Sequence, residues 1–247
     1  MLAMDEATHD LIYRSLNKLS DIPKLQKHFR IPENTLLAIL TQKKVRKTKS
    51  IFHRIDREEI KKRWNSGESI LSISNSLDFS PVLTASMLLN LTKREFRKML
   101  EKPGEIKDER LRKEITEALE NDFVYSPTAH KAQVARAKIG EDAIRKWLLK
   151  KGASFVAEKE SKNKKTPDFL LSDPIDIEGR KICWIDSKVA FGDEIEHRRC
   201  IKKQFSHYLE TFGSGMVVYC GFVDSVAAIE PRILVKDFQY LWEKNEL

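Results

Sequence analysis

Two stretches decide the fold: Lys165-Thr166-Pro167-Asp168-Phe169-Leu170-Leu171, and Arg180-Lys181-Ile182-Cys183-Trp184-Ile185-Asp186-Ser187-Lys188-Val189-Ala190. The first starts as a turn and becomes a strand. The second has the apolar density of a buried strand. Between them, residues 173–179 contain Pro174 and Gly179 and read as a hairpin loop centred near 176–177. Side chains alternate along a strand, so Ile182, Trp184, Asp186 and Lys188 share one face. An antiparallel pair closed at that loop sets Asp168 almost opposite Asp186, with Cβ atoms ~5 Å apart. Carboxylates that close repel, so one takes a proton or a cation lies between them.

Upstream, residues 133–151 read as a helix closed by Gly152. Its apolar stripe runs Val134, Ala137, Ile144 and Leu148, with Glu141 in a core position. A carboxylate there is costly unless it is paired or bound to a cation. Glu141, Asp168 and Asp186 together make an oxygen donor set suited to Mg2+ or Mn2+. Lys188 adds an amine that can stabilise a phosphorane-like transition state, or orient and deprotonate a water. The alternative for the same charges is a structural ion pair of Lys188 with either aspartate. Residues 193–212 read as a helix on which Gln204 and Tyr208 share a face with His197 and Ile201. The two either contact a phosphate or the attacking water, or Tyr208 packs in the core with its hydroxyl capped by Gln204. Residues 153–156, 215–223 and 232–236 read as further strands. His197 and Cys200 lie close in sequence, but no second pair has zinc-ligand spacing.

The 247 residues are 41% apolar and 33% charged, which fits a charged globular chain with one or two cores. It excludes disordered and collagen-like classes. No stretch approaches the ~20 apolar residues of a membrane helix. The start, MLAMDEATHD, lacks the apolar region of a secretory signal. Three cysteines (Cys183, Cys200, Cys220) without paired spacing point to a reducing, intracellular setting. The net charge of +8 is uneven: residues 1–100 hold 19 Lys and Arg against 11 Asp and Glu, residues 101–247 hold 26 of each. The excess peaks at Lys43, Lys44, Arg46, Lys47 and Lys49, and Lys164 and Lys165 add to a charged loop before Thr166. These are the candidate nucleic-acid contacts, since cations near a polyanion release its condensed counterions. The alternative is a solvated face.

Residues 1–120 read as helices with an internal repeat at an offset of 48: Ile22, Leu25, Phe29, Ile31 and Leu40 reappear as Ile70, Ile73, Leu77, Phe79 and Leu88. Each copy has an apolar stripe, an apolar plug in a turn, and a helix start with proline. This is a helix-turn-helix layout. The first copy offers polar Glu33, Asn34, Thr35 and Gln42 on its second helix. The second copy offers Val82, Leu83, Ala85, Met87 and Leu88, too apolar to read base edges. The expected division is a helical domain over 1–100 with two such units, a helical linker over 101–132, and the strand-bearing domain over 133–247.

The order Glu141 on a helix, Pro167-Asp168, Asp186-Ser187-Lys188, then Gln204-x-x-x-Tyr208 resembles the PD-(D/E)xK nuclease superfamily of restriction endonucleases and Holliday-junction resolvases. More narrowly, Lys165-Thr166-Pro167-Asp168-Phe169 and Trp184-Ile185-Asp186-Ser187-Lys188, continuing to Phe191-Gly192-Asp193, resemble the TPD-motif family. Its animal members are the codanin-interacting nucleases, and it has archaeal relatives. The resemblance implies an α+β chain: N-terminal all-α helix-turn-helix repeats followed by an α/β restriction-endonuclease-like domain. It implies Asp168, Asp186 and Glu141 as metal ligands, Lys188 as the catalytic lysine, and Gln204 and Tyr208 as an accessory motif. Implied too are Mg2+ or Mn2+ as cofactor, nucleic acid as partner with DNA ahead of RNA, and a codanin-like protein partner in an animal. Resolvase-like relatives are often dimers, so a homodimer is also implied. The setting would be cytoplasmic in an archaeon, nuclear and cytoplasmic in an animal. The alternative function is a nucleic-acid-binding adaptor with little or no catalysis.

Overall fold

Free N–H groups in the first turn of a helix need acceptors, and short polar side chains before the helix supply them. Asp5, Asp56, Ser69, Ser80, Thr92, Asp108 and Asp193 each cap a helix in this way. In the computed structural model, which describes residues 3–158 and 165–243, the helices are α1 (Glu6–Ser15), α2 (Ile22–Phe29), α3 (Glu33–Ile51), α4 (Arg57–Asn65), α5 (Ile70–Ser76), α6 (Pro81–Leu89), α7 (Lys93–Glu101), α8 (Glu109–Asn121), α9 (Pro127–Lys150), α10 (Glu194–Cys200), α11 (Ser206–Phe212) and α12 (Tyr240–Glu243). The strands are β1 (Ala3–Met4), β2 (Phe155–Ala157), β3 (Phe169–Ile177), β4 (Arg180–Lys188), β5 (Gly215–Tyr219), β6 (Phe222–Val223) and β7 (Ile233–Asp237). The chain is therefore α+β. Among the described residues no helix is long and apolar enough to cross a membrane.

Contacts divide the chain into one unit of residues 1–42 with 135–247 and a second of residues 43–134. This differs from the expected division. Residues 1–42 join the strand-bearing unit because β1 pairs in parallel with β6 and because side chains of α1 and α3 bond to its loops. Residues 101–132 are no linker: Ile115 and Ala118 of α8 are fully buried in the core of the second unit.

In the first unit the five-stranded sheet has the order β2-β3-β4-β5-β7. The β2, β3 and β4 pairings are antiparallel, while β4, β5 and β7 run parallel. Ile144, Trp147 and Leu148 of α9 pack on Phe169, Ile182, Ile185, Met216, Val218 and Leu234. Val134, expected on this stripe, is exposed; Gly140 takes the buried place, where an added Cβ would lie 2.8 Å from Phe238 and 3.0 Å from Ser187 Oγ. Trp184 is fully buried on the other face, and its ring would meet a Cβ at Gly215 within 2.0 Å, so only glycine fits there.

The hairpin is longer than expected. Strand β3 runs through Pro174 to Ile177, and the turn is Glu178-Gly179, both in the left-handed region (φ 56° and 75°) as a tight right-twisting hairpin requires. Near the turn Ile177 opposes Arg180, but at the far end Phe169 opposes Ile185. Between them residues 171–174 stand against Cys183 alone, a bulge in which Pro174 needs no ladder partner.

The second unit is helical. Ile60, Ile70, Ile73, Phe79, Val82, Met87 and Ile115 form its core. Buried Glu114 accepts from Trp64 Nε1 (2.9 Å), the Ile70 amide (3.0 Å) and Arg110 Nε (2.8 Å), so its charge is compensated. The two repeat copies fall on the helix pairs α2–α3 and α5–α6, and each intervening turn holds a left-handed residue at the same repeat position, Arg30 (φ 55°) and Asp78 (φ 45°). The first belongs to the first unit and the second to the other. Helix α6 is buried, and Asp122 accepts from the Val82 amide at 3.2 Å and from the Ser80 hydroxyl. Its N-terminus is thereby closed to an anion. On α3, Thr35 is buried and Gln42 bonds the Phe191 backbone, so neither is presented as a base-reading side chain.

Candidate active site at the carboxyl end of the central strands

Strands β4 and β5 end together, with Lys188 opposite Tyr219, and Asp237 of β7 continues the row. Asp186 and Lys188 point to one face of β4 by strand alternation. Asp168 immediately precedes β3, where the register places it across from Asp186. Asp168 Oδ2 accepts from the Ser187 amide at 2.6 Å, which fixes the turn Thr166-Pro167-Asp168 against β4. Asp186 is buried and ion-paired with Lys188, whose ammonium also lies 5.6 Å from the Phe205 ring centroid.

The electrostatics follow from burial. Desolvation, then the neighbouring Asp186 charge, raise the Asp168 carboxyl to about 7, with Glu141 pushing the same way. Burial also raises Asp186, against the pull of Lys188. For Lys188, burial alone would lower the ammonium, but the Asp186 charge and hydrogen bond outweigh it and hold it above the ordinary range. The acids thus sit where a proton or a cation relieves them.

Glu141 is half-buried on α9, next to Gly140 at Ser187 and within electrostatic reach of Asp168. Among the described residues no three His, Cys, Asp or Glu side chains stand as a group that could hold a metal ion. As arranged, then, the site is an aspartate pair with Glu141 in electrostatic reach of Asp168, and not a closed three-carboxylate cage. Lys188 on Asp186 and the Ser187 amide on Asp168 already engage one oxygen of each. The pair still fits a divalent ion: Mg2+ commonly takes one or two carboxylates and keeps several waters. Two buried hydroxyl oxygens near these acids, Thr166 Oγ1 and Ser187 Oγ, have no hydrogen-bond partner among the described residues.

Tyr208 packs in the core. It is buried, its hydroxyl donates to the Thr166 carbonyl at 2.9 Å, and its ring meets Trp184 edge-on at 5.3 Å. It anchors the turn that carries Asp168, and Gln204 does not cap it. Gln204 is half-buried in a π-helical turn, Ile201–Phe205, between α10 and α11. That turn shifts the helix face and puts Phe205 beneath Lys188. Sequence periodicity gave no sign of the π turn, of the Thr166 carbonyl's role or of Gln42, which holds the loop after Lys188 through Phe191. His197 is buried with Nδ1 3.1 Å from the Tyr219 hydroxyl, and Cys200 is buried, so these are core groups. All three cysteines carry free thiols.

Of the expected nucleic-acid contacts, Lys44 and Lys47 are ion-paired with Asp78. Lys43 and Arg46 are half-buried, while Lys49 and Lys165 are exposed. Lys164 lies outside the described residues.

The profile of the family described as "Protein of unknown function TPD sequence-motif" matches residues 107–239. A Danio rerio relative, "CDAN1-interacting nuclease 1", is 30% identical over 261 aligned residues, covering 91% of this chain and 87% of the relative. Relatives of the same name in Mus musculus and Homo sapiens are each 32% identical over 228 residues, covering 82% of this chain and 81% of theirs. No solved structure matches.

Proposed function

Because the chain belongs to the TPD sequence-motif family, we propose that it is a metal-dependent nuclease of the restriction-endonuclease-like, PD-(D/E)xK type, hydrolysing phosphodiester bonds of DNA, branched or structured DNA included. The single observation that carries this reading is the cluster of buried Asp186 with half-buried Asp168 and Lys188 at the carboxyl end of β4. The names of the relatives support it, as does the order helix, three antiparallel strands, helices, parallel strand.

Asp168 and Asp186 would hold Mg2+ or Mn2+, with Glu141 completing the acidic set. A bound divalent ion supplies Lewis acidity toward a phosphate oxygen and makes a water more acidic. Lys188, held charged by Asp186, places its ammonium where negative charge grows on the phosphate oxygens, and it can orient the attacking water. Tyr208 and the Ser187 amide fix the turn that carries Asp168, so that carboxyl is positioned before substrate arrives. A codanin-type protein is the proposed macromolecular partner, on the relatives' names.

The test is a panel of labelled single-stranded, duplex, flap and four-way substrates with Mg2+ or Mn2+. At least one should be cut, and Asp186→Ala should remove cutting while circular dichroism stays unchanged. Metal-independent binding with no cutting of any substrate would favour the adaptor instead.

A further inference from the structure

We propose that the outer face of α7 is a docking surface for the phosphate backbone of nucleic acid. Lys93, Arg94, Arg97 and Lys98 recur at i, i+1, i+4 and i+5, so they share one side of the helix, within about 8 Å along its axis. All four are exposed. The opposite side, Phe96, Met99 and Leu100, is packed on the core of the second unit.

The acids near this face are already engaged. The Glu95 carboxylate accepts from the Thr92 amide at 3.0 Å and from its hydroxyl at 2.6 Å. Glu101 is taken by Arg97 at 2.9 Å and Glu105 by Lys102 at 2.9 Å. Lys93, Arg94 and Lys98 have no hydrogen-bond or ion-pair partner among the described residues. By contrast Lys44, Lys47, Lys61 and Arg63 are each held by a carboxylate. The basic cluster around Lys47, which the sequence alone puts first, is thus partly neutralised, and the α7 face is the less compensated one.

The occupant follows from the helix's two sides. A membrane-surface helix must bury its apolar side in lipid. Here that side is spent on the protein core, which leaves charge alone to bind. A row of fixed cations suits a phosphate chain, gains from counterion release, and reads no sequence. The reciprocal capping of Thr92 and Glu95 fixes the helix start, so the cations are held in place before binding.

This rests on the nuclease reading only in taking nucleic acid as ligand. The experiment therefore measures binding without cutting: fluorescence anisotropy of a labelled DNA duplex in EDTA, from about 50 to 200 mM salt. The full chain is compared with Lys93→Glu/Arg94→Glu/Lys98→Glu and with a control of equal charge change, Lys61→Glu/Lys107→Glu/Lys113→Glu. The α7 variant should bind about tenfold or more weakly, with a log–log salt slope flatter by about 2 to 3. The control should lose much less. Equal losses in both variants, no loss in the α7 variant, or binding to anionic vesicles without binding to duplex would each overturn the proposal. If charge reversal disturbs folding, Lys93→Gln/Arg94→Gln/Lys98→Gln replaces it. Failure of the nuclease reading would show separately, as intact α7-dependent binding with no cleavage when Mg2+ is restored.

Discussion

Gln42 and Phe191, separated by 149 positions, exchange two hydrogen bonds: Gln42 Nε2 donates to the Phe191 carbonyl at 3.0 Å, and the Phe191 amide donates to Gln42 Oε1 at 2.7 Å. The Phe191 ring is buried and stacks on His9 at 5.1 Å. Helices α1 and α3 thereby pin the loop that leaves β4 three residues after Lys188. Gln42→Ala leaves a buried amide and carbonyl unpaired and should cost about 1–3 kcal/mol in denaturant unfolding. With the loop loosened, cleavage should slow by about one to two orders of magnitude while duplex affinity holds. A fragment lacking residues 1–42 should fail to give a cooperative thermal transition. Wild-type rates in Gln42→Ala would separate this clamp from the chemistry.

Tyr208→Phe keeps the buried ring and removes only the bond to the Thr166 carbonyl. A positioning role predicts a loss of about 1 kcal/mol in stability and a partial drop in kcat. A complete loss of cleavage, like that of Asp186→Ala, would instead place the hydroxyl on the reacting atoms.

The opposition of Asp168 and Asp186 was legible in the sequence, but through two errors that cancel. A loop centred at 176–177 puts the two residues opposite each other. The true turn lies at Glu178-Gly179, which alone would slide the register by about three residues, and the bulge at 171–174 slides it back. Alternation from Trp184 to Lys188 and the carboxylate in the α9 stripe are readable because they are local periodicities, but Ile182, expected on the Trp184 face, packs with Ile185 under α9, because the register shift falls between it and Trp184. The place of residues 1–42 was not. It depends on a two-residue strand and on a glutamine bonding a distant backbone, neither of which leaves a periodic trace. The π turn at Ile201–Phe205 leaves no trace for the same reason, and so of the two expectations for Tyr208 the packed one holds, but with the Thr166 carbonyl in the place expected for Gln204.

His197 gives a pH signature. Burial, with Arg198 adding to it, lowers its imidazole from 6.5 to about 4. Between those values the unfolded chain binds the proton and the folded chain does not. Its stabilising contribution is therefore full above 6.5 and lost as pH falls through the window down to about 4. The size is on the order of 3 kcal/mol. Chemical denaturation from pH 7 to 4 should show a steeper loss in wild type than in His197→Gln, and parallel curves would contradict the assignment.

Asp168 acts with the opposite sign. Its carboxyl is raised from 3.8 to about 7, so the folded chain keeps a proton that the unfolded chain has lost. Its contribution is full below 3.8 and is lost as pH rises through about 7. In EDTA at alkaline pH, Asp168→Asn should melt a few degrees above wild type. Adding Mg2+ should raise the melting temperature of wild type and leave Asp168→Asn nearly unmoved. A similar Mg2+ response in both proteins would take Asp168 out of the metal site.

Lys188 has its ammonium fixed by Asp186 beside the two carboxyls, where cleavage would need it. The most direct measurement is the single-turnover cleavage rate of Lys188→Ala at saturating Mn2+ on the best-cut substrate. The predicted result is a loss of about two orders of magnitude or more, with Mn2+ binding and the circular dichroism spectrum unchanged. A rate equal to wild type would mean that the aspartate pair and its lysine are only a buried ion pair, and that hydrolysis, if present, happens elsewhere on the chain.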